Sequence, residues 1–457
     1  MLAIAALCLR LLFSFWGSKY YFGEIRFTFG DSFSYTDTFL NLLRIGEYTF
    51  DTSEPDAYLY RGPVYALYWG MHYLLFGEEY VYKVVAISQC IIDTLSTMLI
   101  YRIIRSISQD VNFALAGMAL YAFHPIFIVH TPITGTETIA TCITLTTFAT
   151  VMLARNNGTY VMWLIVGLLC GLGVLTRQYL GLLLPTVILY YLCVASIKNT
   201  KNFFTIIFCI MLGFFLLTAP WLIRNIIFHN APTILMGKTS GYKAYKEDYI
   251  AFQRLYTLYF VDVTPILLRI SKSGRDGLDD DPRLKGIRSD LERASELAYS
   301  CGTSFGEVRR WGNNVLQDIK TDERECNAEI VSIYEYVRAK ALKEGGFTLW
   351  IDVPVQNVIK AVFKSELTSK RDGWVSSVIT SIFFTRTLFA LLGLMGIFFI
   401  ARVPEFVFVF FPISLIAYIS AITRQVEMRY LLQSDALLLS LSMVTVAYFF
   451  RKRTKKD

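Results

Sequence analysis

Long apolar runs constrain this chain of 457 residues more than any other feature. A helix of roughly 20 apolar residues crosses a bilayer, and a spanning segment must satisfy its own backbone hydrogen bonds, which favours helices. Only 18% of the residues are charged, against about 25% in soluble domains. We therefore predict an all-α polytopic membrane protein with spans at 1–16, 81–104, 111–130, 137–154, 159–176, 178–196, 202–223, 377–400, 403–421 and 430–450.

Lysine and arginine in the short loops set the predicted orientation. With the N-terminus in the cytoplasm, every cytoplasmic turn carries a basic residue, and the basic tail from Arg451 to Lys456 lies on the same side. The long segments 17–80 and 224–376 then lie outside. This bias accounts for the net charge of +7. The first run lacks a basic leader and a small-residue cleavage site, which favours an anchor over a signal peptide.

Composition changes sharply between the seventh and eighth spans, and this change divides the chain. The charged segment there contains helical patterns at 284–300, 304–319 and 322–344. We predict a transmembrane module at 1–237 that includes a first outer loop at 17–80, a mostly helical outer-face subdomain at 238–376, and C-terminal transmembrane helices with a basic cytoplasmic tail at 377–457.

Two of the eight cysteines lie outside the predicted spans. Cys301 and Cys326 both fall in the outer segment, where an oxidising environment would permit a disulfide. The sequence does not give their separation, so their pairing stays open. The histidines have no metal-ligand spacing and Asp31 is not part of an Asp-x-Asp pair. No metal or other cofactor is therefore indicated, and a divalent ion carried by the substrate stays open.

Six short motifs follow one another along the chain. The first outer loop contains Asp31 and Asp37, then Arg61-Gly62-Pro63-Val64-Tyr65 and Leu75-Phe76-Gly77. Later motifs are Phe123-His124-Pro125 with Thr134-Gly135-Thr136-Glu137, the run GLLCGLGVLTR ending at Arg177, Pro220-Trp221-Leu222-Ile223-Arg224-Asn225, the set Ala341, Pro354, Lys360 and Lys364, and Glu427-Met428-Arg429-Tyr430. In this order they resemble GT-C glycosyltransferases, especially protein O-mannosyltransferase-like and lipid A aminoarabinose transferase-like membrane enzymes.

The resemblance implies a bundle of about ten or eleven transmembrane helices with surface helices and a helical outer subdomain. It also implies a glycosyltransferase that moves a hexose or pentose from a polyprenyl-phosphate donor to an acceptor hydroxyl. The reaction would be an inverting single displacement at the outer face of the plasma (inner) membrane, on the periplasmic or extracellular side. Expected partners are the lipid-linked sugar, membrane lipid, and a glycan, lipid or protein acceptor, with no nucleic acid.

Acidic and basic residues at the outer boundary are the candidates for this chemistry. By family position Asp31 is the expected catalytic base, and Asp37 and Glu137 are the competing candidates. Arginine suits bidentate phosphate contacts. The expected donor phosphate-binding residues are Arg61, Arg177, Arg224, Arg429 and Tyr430.

Structural explanations for these residues stay open beside the functional ones. Asp31 and Glu137 could serve helix N-termini, and Arg61 or Arg224 could snorkel to the interface. Two other functions also stay open for the whole chain, a transporter or flippase for a lipid-linked sugar and a non-catalytic membrane scaffold. The sequence identifies neither the sugar, the acceptor, the carrier length nor the oligomeric state.

Overall fold

The computed structural model describes residues 1–52, 57–195, 200–235, 247–259, 266, 269–270, 273–281, 284–300, 327–363, 374–399, 404–424 and 426–454. Every regular element in these ranges is helical, which confirms the predicted all-α class. The predicted helix at 304–319, the cysteines Cys301 and Cys326, and Lys364 lie outside the described residues.

Seventeen helices are described, and we number them in chain order. They are α1 Leu2–Phe22, α2 Ser32–Ile45, α3 Ala57–Tyr60, α4 Pro63–Ser108, α5 Val111–Phe123, α6 Pro125–Ile128, α7 Glu137–Asn157, α8 Tyr160–Thr176, α9 Gln178–Val194, α10 Thr200–His229, α11 Glu247–Tyr256, α12 Arg288–Ser300, α13 Asn327–Glu344, α14 Val353–Phe363, α15 Trp374–Phe399, α16 Pro404–Thr423 and α17 Met428–Thr454.

Ten of these helices coincide with the ten predicted spans. Six are long and apolar enough to cross a membrane, namely α1, α4, α7, α10, α16 and α17, and four shorter apolar helices lie in α5, α8, α9 and α15. Length and composition therefore bear out the predicted polytopic architecture. The second predicted span proves to be part of a longer helix, α4, which has 46 residues and starts in the first outer loop.

The chain forms two compact units. The first, which we call the membrane unit, comprises Met1–Gly237, Val362–Ile416 and Met428–Asp457. The second unit comprises Lys238–Ala361 and Ala417–Glu427. The apolar helices above belong almost entirely to the membrane unit, whereas the second unit is built mainly from the more polar helices α11, α12 and α13.

An aromatic core in the membrane unit joins the N-terminal halves of three helices. It includes Phe39 of α2, Tyr65 and Trp69 of α4, and Ile139 of α7. Close packing requires glycine at position 70, because a Cβ there would lie 2.1 Å from Phe39 Cε2. This core fixes the ends of the three helices, where the candidate site lies.

Glycine at position 77 interrupts α4 between its loop-side and membrane-side parts. Its φ of 71° and ψ of 177° lie outside the range that residues with a Cβ adopt readily. The amphipathic stretch before Gly77 can therefore change direction before the long apolar part begins. This break matches the predicted boundary between the first outer loop and the second span.

Two ion pairs are buried among the spanning helices. Arg10 of α1 pairs with Asp93 of α4, which also accepts a hydrogen bond from the Tyr121 hydroxyl at 2.6 Å. Arg386 of α15 pairs with Asp435 of α17 at 2.8 Å. Because an unpaired charge is costly in a low-dielectric interior, these pairs fix which helices pack together.

The second unit has its own apolar core. Phe252 and Tyr256 of α11, Leu291 of α12 and Tyr334 of α13 are all buried in it. The three helices thus bury their apolar faces against one another although they are highly charged outside. The predicted helix at 284–300 begins at Arg288, and the one predicted at 322–344 is described from Asn327 onward.

Breaking the Arg10–Asp93 pair is expected to destabilise the membrane unit strongly. Asp93→Ala leaves the Arg10 guanidinium buried without its counter-charge, which costs about 3–5 kcal/mol. The free energy of unfolding would be measured by titrating purified protein in mixed micelles with dodecyl sulfate.

Glu24→Ala is the matched control, because Glu24 forms an exposed pair with Arg26. An exposed pair contributes about 1 kcal/mol or less, so the control should unfold close to the unmodified chain. Equal midpoints for the two variants would show that the buried pair has no special structural role.

Candidate active site

Five charged side chains form a continuous chain of ion pairs in the membrane unit. Their order is Arg61, Asp31, Arg429, Glu137 and Arg177. Each of them lies at or next to the N-terminal end of a helix. We call these five residues the charge cluster.

Asp31 is the N-cap residue of α2, but its side chain makes no capping hydrogen bond. Its Oδ1 lies 3.3 Å from Arg61 Nη2, and its Oδ2 lies 2.7 Å from Arg429 Nη2. The carboxylate therefore faces two guanidinium groups instead of the helix backbone. The purely structural explanation of Asp31 as a helix cap does not describe this geometry.

Arg61 is fixed by the first outer loop. Its Nε donates to Ser34 Oγ at 2.7 Å and its Nη1 donates to the Tyr35 hydroxyl at 2.8 Å. The rings of Tyr35 and Tyr60 lie 4.3 and 4.4 Å from its Cζ. Such cation–π contacts and hydrogen bonds hold the guanidinium plane in one orientation.

Arg429, near the start of α17, connects the two acidic residues. Besides Asp31 it approaches Glu137, whose Oε1 lies 4.0 Å from its Nη1. Its Nη2 also donates to the hydroxyl of Tyr430 at 3.2 Å. The last helix of the chain therefore contributes a cation to a site built otherwise from the first half.

Arg177 closes the other end of the charge cluster. Its Nη2 lies 3.2 Å from Glu137 Oε1, and its Cζ lies 5.1 and 5.0 Å from the ring centroids of Tyr179 and Tyr430. Its Nη1 is buried and has no hydrogen-bond partner among the described residues. A buried guanidinium nitrogen without a partner is costly, so an acceptor atom from a ligand would stabilise it.

The two acidic residues differ in access. The side chain of Asp31 is 31% exposed, whereas that of Glu137 is 8% exposed. A substrate hydroxyl can therefore approach Asp31 more readily. Glu137 is placed to hold Arg177 and Arg429 beside each other.

Asp37 and Arg224, two further predicted residues, make their recorded contacts elsewhere. Asp37 lies in α2 beside Thr36, and burial raises the pKa of its carboxyl. Arg224 of α10 donates to the carbonyl oxygens of Tyr48 at 3.2 Å and Tyr58 at 2.8 Å. These contacts tie α10 to the first outer loop and give Arg224 a structural role in this state.

His130 and several tyrosines near the site were not predicted from the sequence. His130 lies in the loop between α6 and α7. Its imidazole lies close enough to Glu137, Arg429 and Arg177 for their charges to act on it. The tyrosines that flank the arginines are Tyr35, Tyr60 and Tyr179. The sequence could have indicated two of them, because Tyr60 is next to Arg61 and Tyr179 lies two residues after Arg177.

A resident metal was not indicated by the sequence. In the part of the chain that the structure describes, no group of three or more histidine, cysteine, aspartate or glutamate side chains could hold a metal ion.

The comparisons with known proteins support the resemblance seen in the motifs. Residues 60–223 match a family model described as dolichyl-phosphate-mannose-protein mannosyltransferase. This range includes Arg61, Glu137 and Arg177, while Asp31 and Arg429 lie outside it. No curated protein matches the chain.

Solved structures of an archaeal oligosaccharyltransferase share the fold of this chain. The oligosaccharyltransferase AglB from Archaeoglobus fulgidus, in complex with an inhibitory peptide and a dolichol-phosphate, has a TM-score of 0.53 at 14% identity over 98% of this chain. An apo form of the Archaeoglobus fulgidus oligosaccharyltransferase gives 0.51 at 13% identity over 99% of this chain. The chain spans 50% of the length of each. ArnT from Cupriavidus metallidurans bound to undecaprenyl phosphate gives 0.38 at 12% identity, covering 98% of this chain and 77% of ArnT.

The chain therefore has a GT-C glycosyltransferase fold, and the resemblance predicted from its motifs is confirmed.

Replacing Arg224 is expected to loosen the first outer loop. Arg224→Ala removes two charge-assisted hydrogen bonds to loop carbonyl groups, each worth about 1.5–3 kcal/mol. Amide hydrogen exchange around Tyr48 and Tyr58 should accelerate by at least about tenfold.

Arg44→Ala is a suitable control because Arg44 is exposed near the end of α2. Its replacement should leave exchange in the same loop unchanged. Unchanged exchange in Arg224→Ala as well would show that Arg224 does not hold the first outer loop in place.

Proposed function

We propose that the chain is a membrane glycosyltransferase that transfers a sugar from a polyprenyl-phosphate donor to an acceptor hydroxyl at the outer face of the membrane. The observation that supports this most is the charge cluster, in which three arginines surround two acidic residues. Its net charge of about +1 and the unpartnered Arg177 nitrogen favour an anionic ligand. The description of the matched family and that of the AglB complex both name dolichol-phosphate compounds, which agrees with this choice.

Helix termini strengthen the case for a phosphate. The residues of the charge cluster lie at the N-terminal ends of α2, α4, α7, α9 and α17. The N-terminal end of a helix carries a partial positive charge and favours anions. A phosphate beside Arg177 and Arg429 would therefore gain from both the guanidinium groups and the backbone.

Asp31 is the proposed base because it combines access with position. It shares Arg429 with Glu137, so an acceptor at Asp31 would lie next to a donor phosphate held by Arg429 and Arg177. Glu137 is too buried to meet the acceptor and is proposed to position these two arginines. General base catalysis of this kind contributes typically 10²–10⁴-fold in rate.

The proposed reaction is a single displacement. The acceptor oxygen forms a bond to the anomeric carbon while the bond from that carbon to the phosphate oxygen breaks. The hydroxyl proton passes to Asp31, and the electron pair of the broken bond leaves with the polyprenyl phosphate. Arg429 and Arg177 stabilise the charge that develops on this leaving group, and attack from the opposite side inverts the anomeric configuration.

Asp31→Asn and Asp37→Asn form a matched pair that tests the base. Both changes keep the side-chain shape and remove the charge, and both residues lie in or at the start of α2. Transfer from a panel of radiolabelled polyprenyl-phosphate sugars to native membrane extract should fall about 10²–10⁴-fold in Asp31→Asn and stay near that of the unmodified chain in Asp37→Asn.

Binding of the donor should survive in Asp31→Asn. Full activity of this variant would reject Asp31 as the base, and a loss confined to Asp37→Asn would assign the role to Asp37. If the unmodified chain neither binds nor consumes any donor, the transferase proposal fails and the transporter and scaffold hypotheses gain support.

Arg429→Lys is expected to weaken donor binding. Lysine keeps the charge but cannot contact Asp31, Glu137 and a phosphate with one planar group. Loss of one charge-assisted hydrogen bond of about 1.5–3 kcal/mol predicts a KM for the donor about 10- to 100-fold higher.

Arg155→Lys is the control, since Arg155 pairs with Glu405 in another part of the membrane unit. Its donor KM should not change. A lower kcat in Arg429→Lys with an unaltered donor KM would show that Arg429 orients Asp31 and does not bind the phosphate.

A further inference from the structure

An exposed apolar stripe runs along α14 and the helical turn Thr348–Asp352 before it. Six side chains form it, and their exposure ranges from 48% at Ile351 to 75% at Phe347. Most follow one another at intervals of three or four positions, so they share a helical face. The exposed stripe consists of Phe347, Trp350, Ile351, Val355, Ile359 and Phe363.

The opposite face of the same segment is fixed to the core of the second unit. Leu349 and Val353 are buried in that core. Asn357 donates to the carbonyl oxygen of Ser420 at 3.1 Å, and Arg424 donates to that of Leu349 at 3.2 Å. Because these contacts hold the opposite face in the core, the helix cannot rotate to bury the exposed stripe.

The exposed surface is large enough to need a partner. Its three aromatic side chains alone expose about 400 Å², taking roughly 200 Å² for each whole side chain. A single patch of this size is near the upper range for a monomeric soluble surface and commonly marks an interaction site. The exposed stripe contains no charged residue.

The end of α14 is bonded to a membrane-spanning helix. The carbonyl oxygen of Val362 accepts hydrogen bonds from Arg386 at 3.3 Å and from Thr387 at 2.8 Å. The C-terminal end of α14 is therefore fixed to a helix that the sequence predicts to span the membrane.

Composition also favours lipid as the partner. Tryptophan and other aromatic residues are enriched where a protein meets the headgroup region. After the exposed stripe the sequence continues with Lys364, Lys370 and Arg371 before α15 begins. Basic residues next to an apolar helical face favour a surface with anionic lipids.

We propose that the exposed stripe docks the second unit onto the bilayer, with its aromatic and aliphatic side chains inserted at the boundary between headgroups and acyl chains. The inference is independent of the proposed transferase activity. It assigns α14 as an in-plane amphipathic helix.

Spin labels in the full-length chain test this directly. Single cysteines would replace Ile351, Val355 or Ile359 in a variant whose native cysteines are changed to alanine and whose size-exclusion profile is unaltered. The protein would be reconstituted in vesicles of phosphatidylethanolamine and phosphatidylglycerol. Relaxation by oxygen, which concentrates in lipid, would be compared with relaxation by a water-soluble nickel chelate.

Tyr299 and Tyr336 provide matched control positions, because they are 53% and 60% exposed on helices of the same unit. The ratio of oxygen to nickel relaxation should be several-fold higher at the three stripe positions than at the two controls. Equal ratios at all five positions would overturn the proposal. Protection of the stripe from both reagents would also overturn it, since a protein or a second copy of the chain would then cover this face.

Discussion

The candidate site depends on one shared cation, Arg429. Its guanidinium group reaches Asp31 at 2.7 Å and Glu137 at 4.0 Å, so two acidic residues can lie near each other without uncompensated repulsion. Asp31 belongs to the first outer loop and Arg429 to the last helix. Their pairing brings distant parts of the membrane unit together at the site. The geometry of the site therefore depends on the whole chain and not on one motif.

The low dielectric inside a membrane protein explains why the buried charges of the described residues occur in ion pairs. Arg10 with Asp93, and Arg386 with Asp435, are fully compensated pairs inside the helix bundle. The charge cluster differs because it has three arginines and only two acidic residues. A structural network is expected to balance its charges, whereas an excess of cations is suited to a ligand that brings negative charge.

Much of the fold could be predicted from the sequence because the length of an apolar run reports directly on membrane crossing. Each of the ten predicted spans overlaps an apolar helix, and six of these helices are long enough to cross a membrane. The partners of the charges could not be predicted in the same way. Arg10 and Arg386 lie within apolar runs, and their acidic partners lie 83 and 49 positions away. The motif around Arg224 likewise gave its residue type but not the direction of its side chain, which depends on where Tyr48 and Tyr58 lie in the folded loop.

Several arginines lie between aromatic rings in a similar way, although their hydrogen-bond partners differ. Arg61, Arg177 and Arg224 each lie close to two rings. Rings over the guanidinium faces leave the N–H groups to donate in the guanidinium plane. For Arg61 and Arg177 this plane contains a carboxylate, whereas for Arg224 it contains backbone carbonyl oxygens. The groups in that plane therefore differ between the arginines of the charge cluster and Arg224, and the shared sequence pattern does not contain this difference.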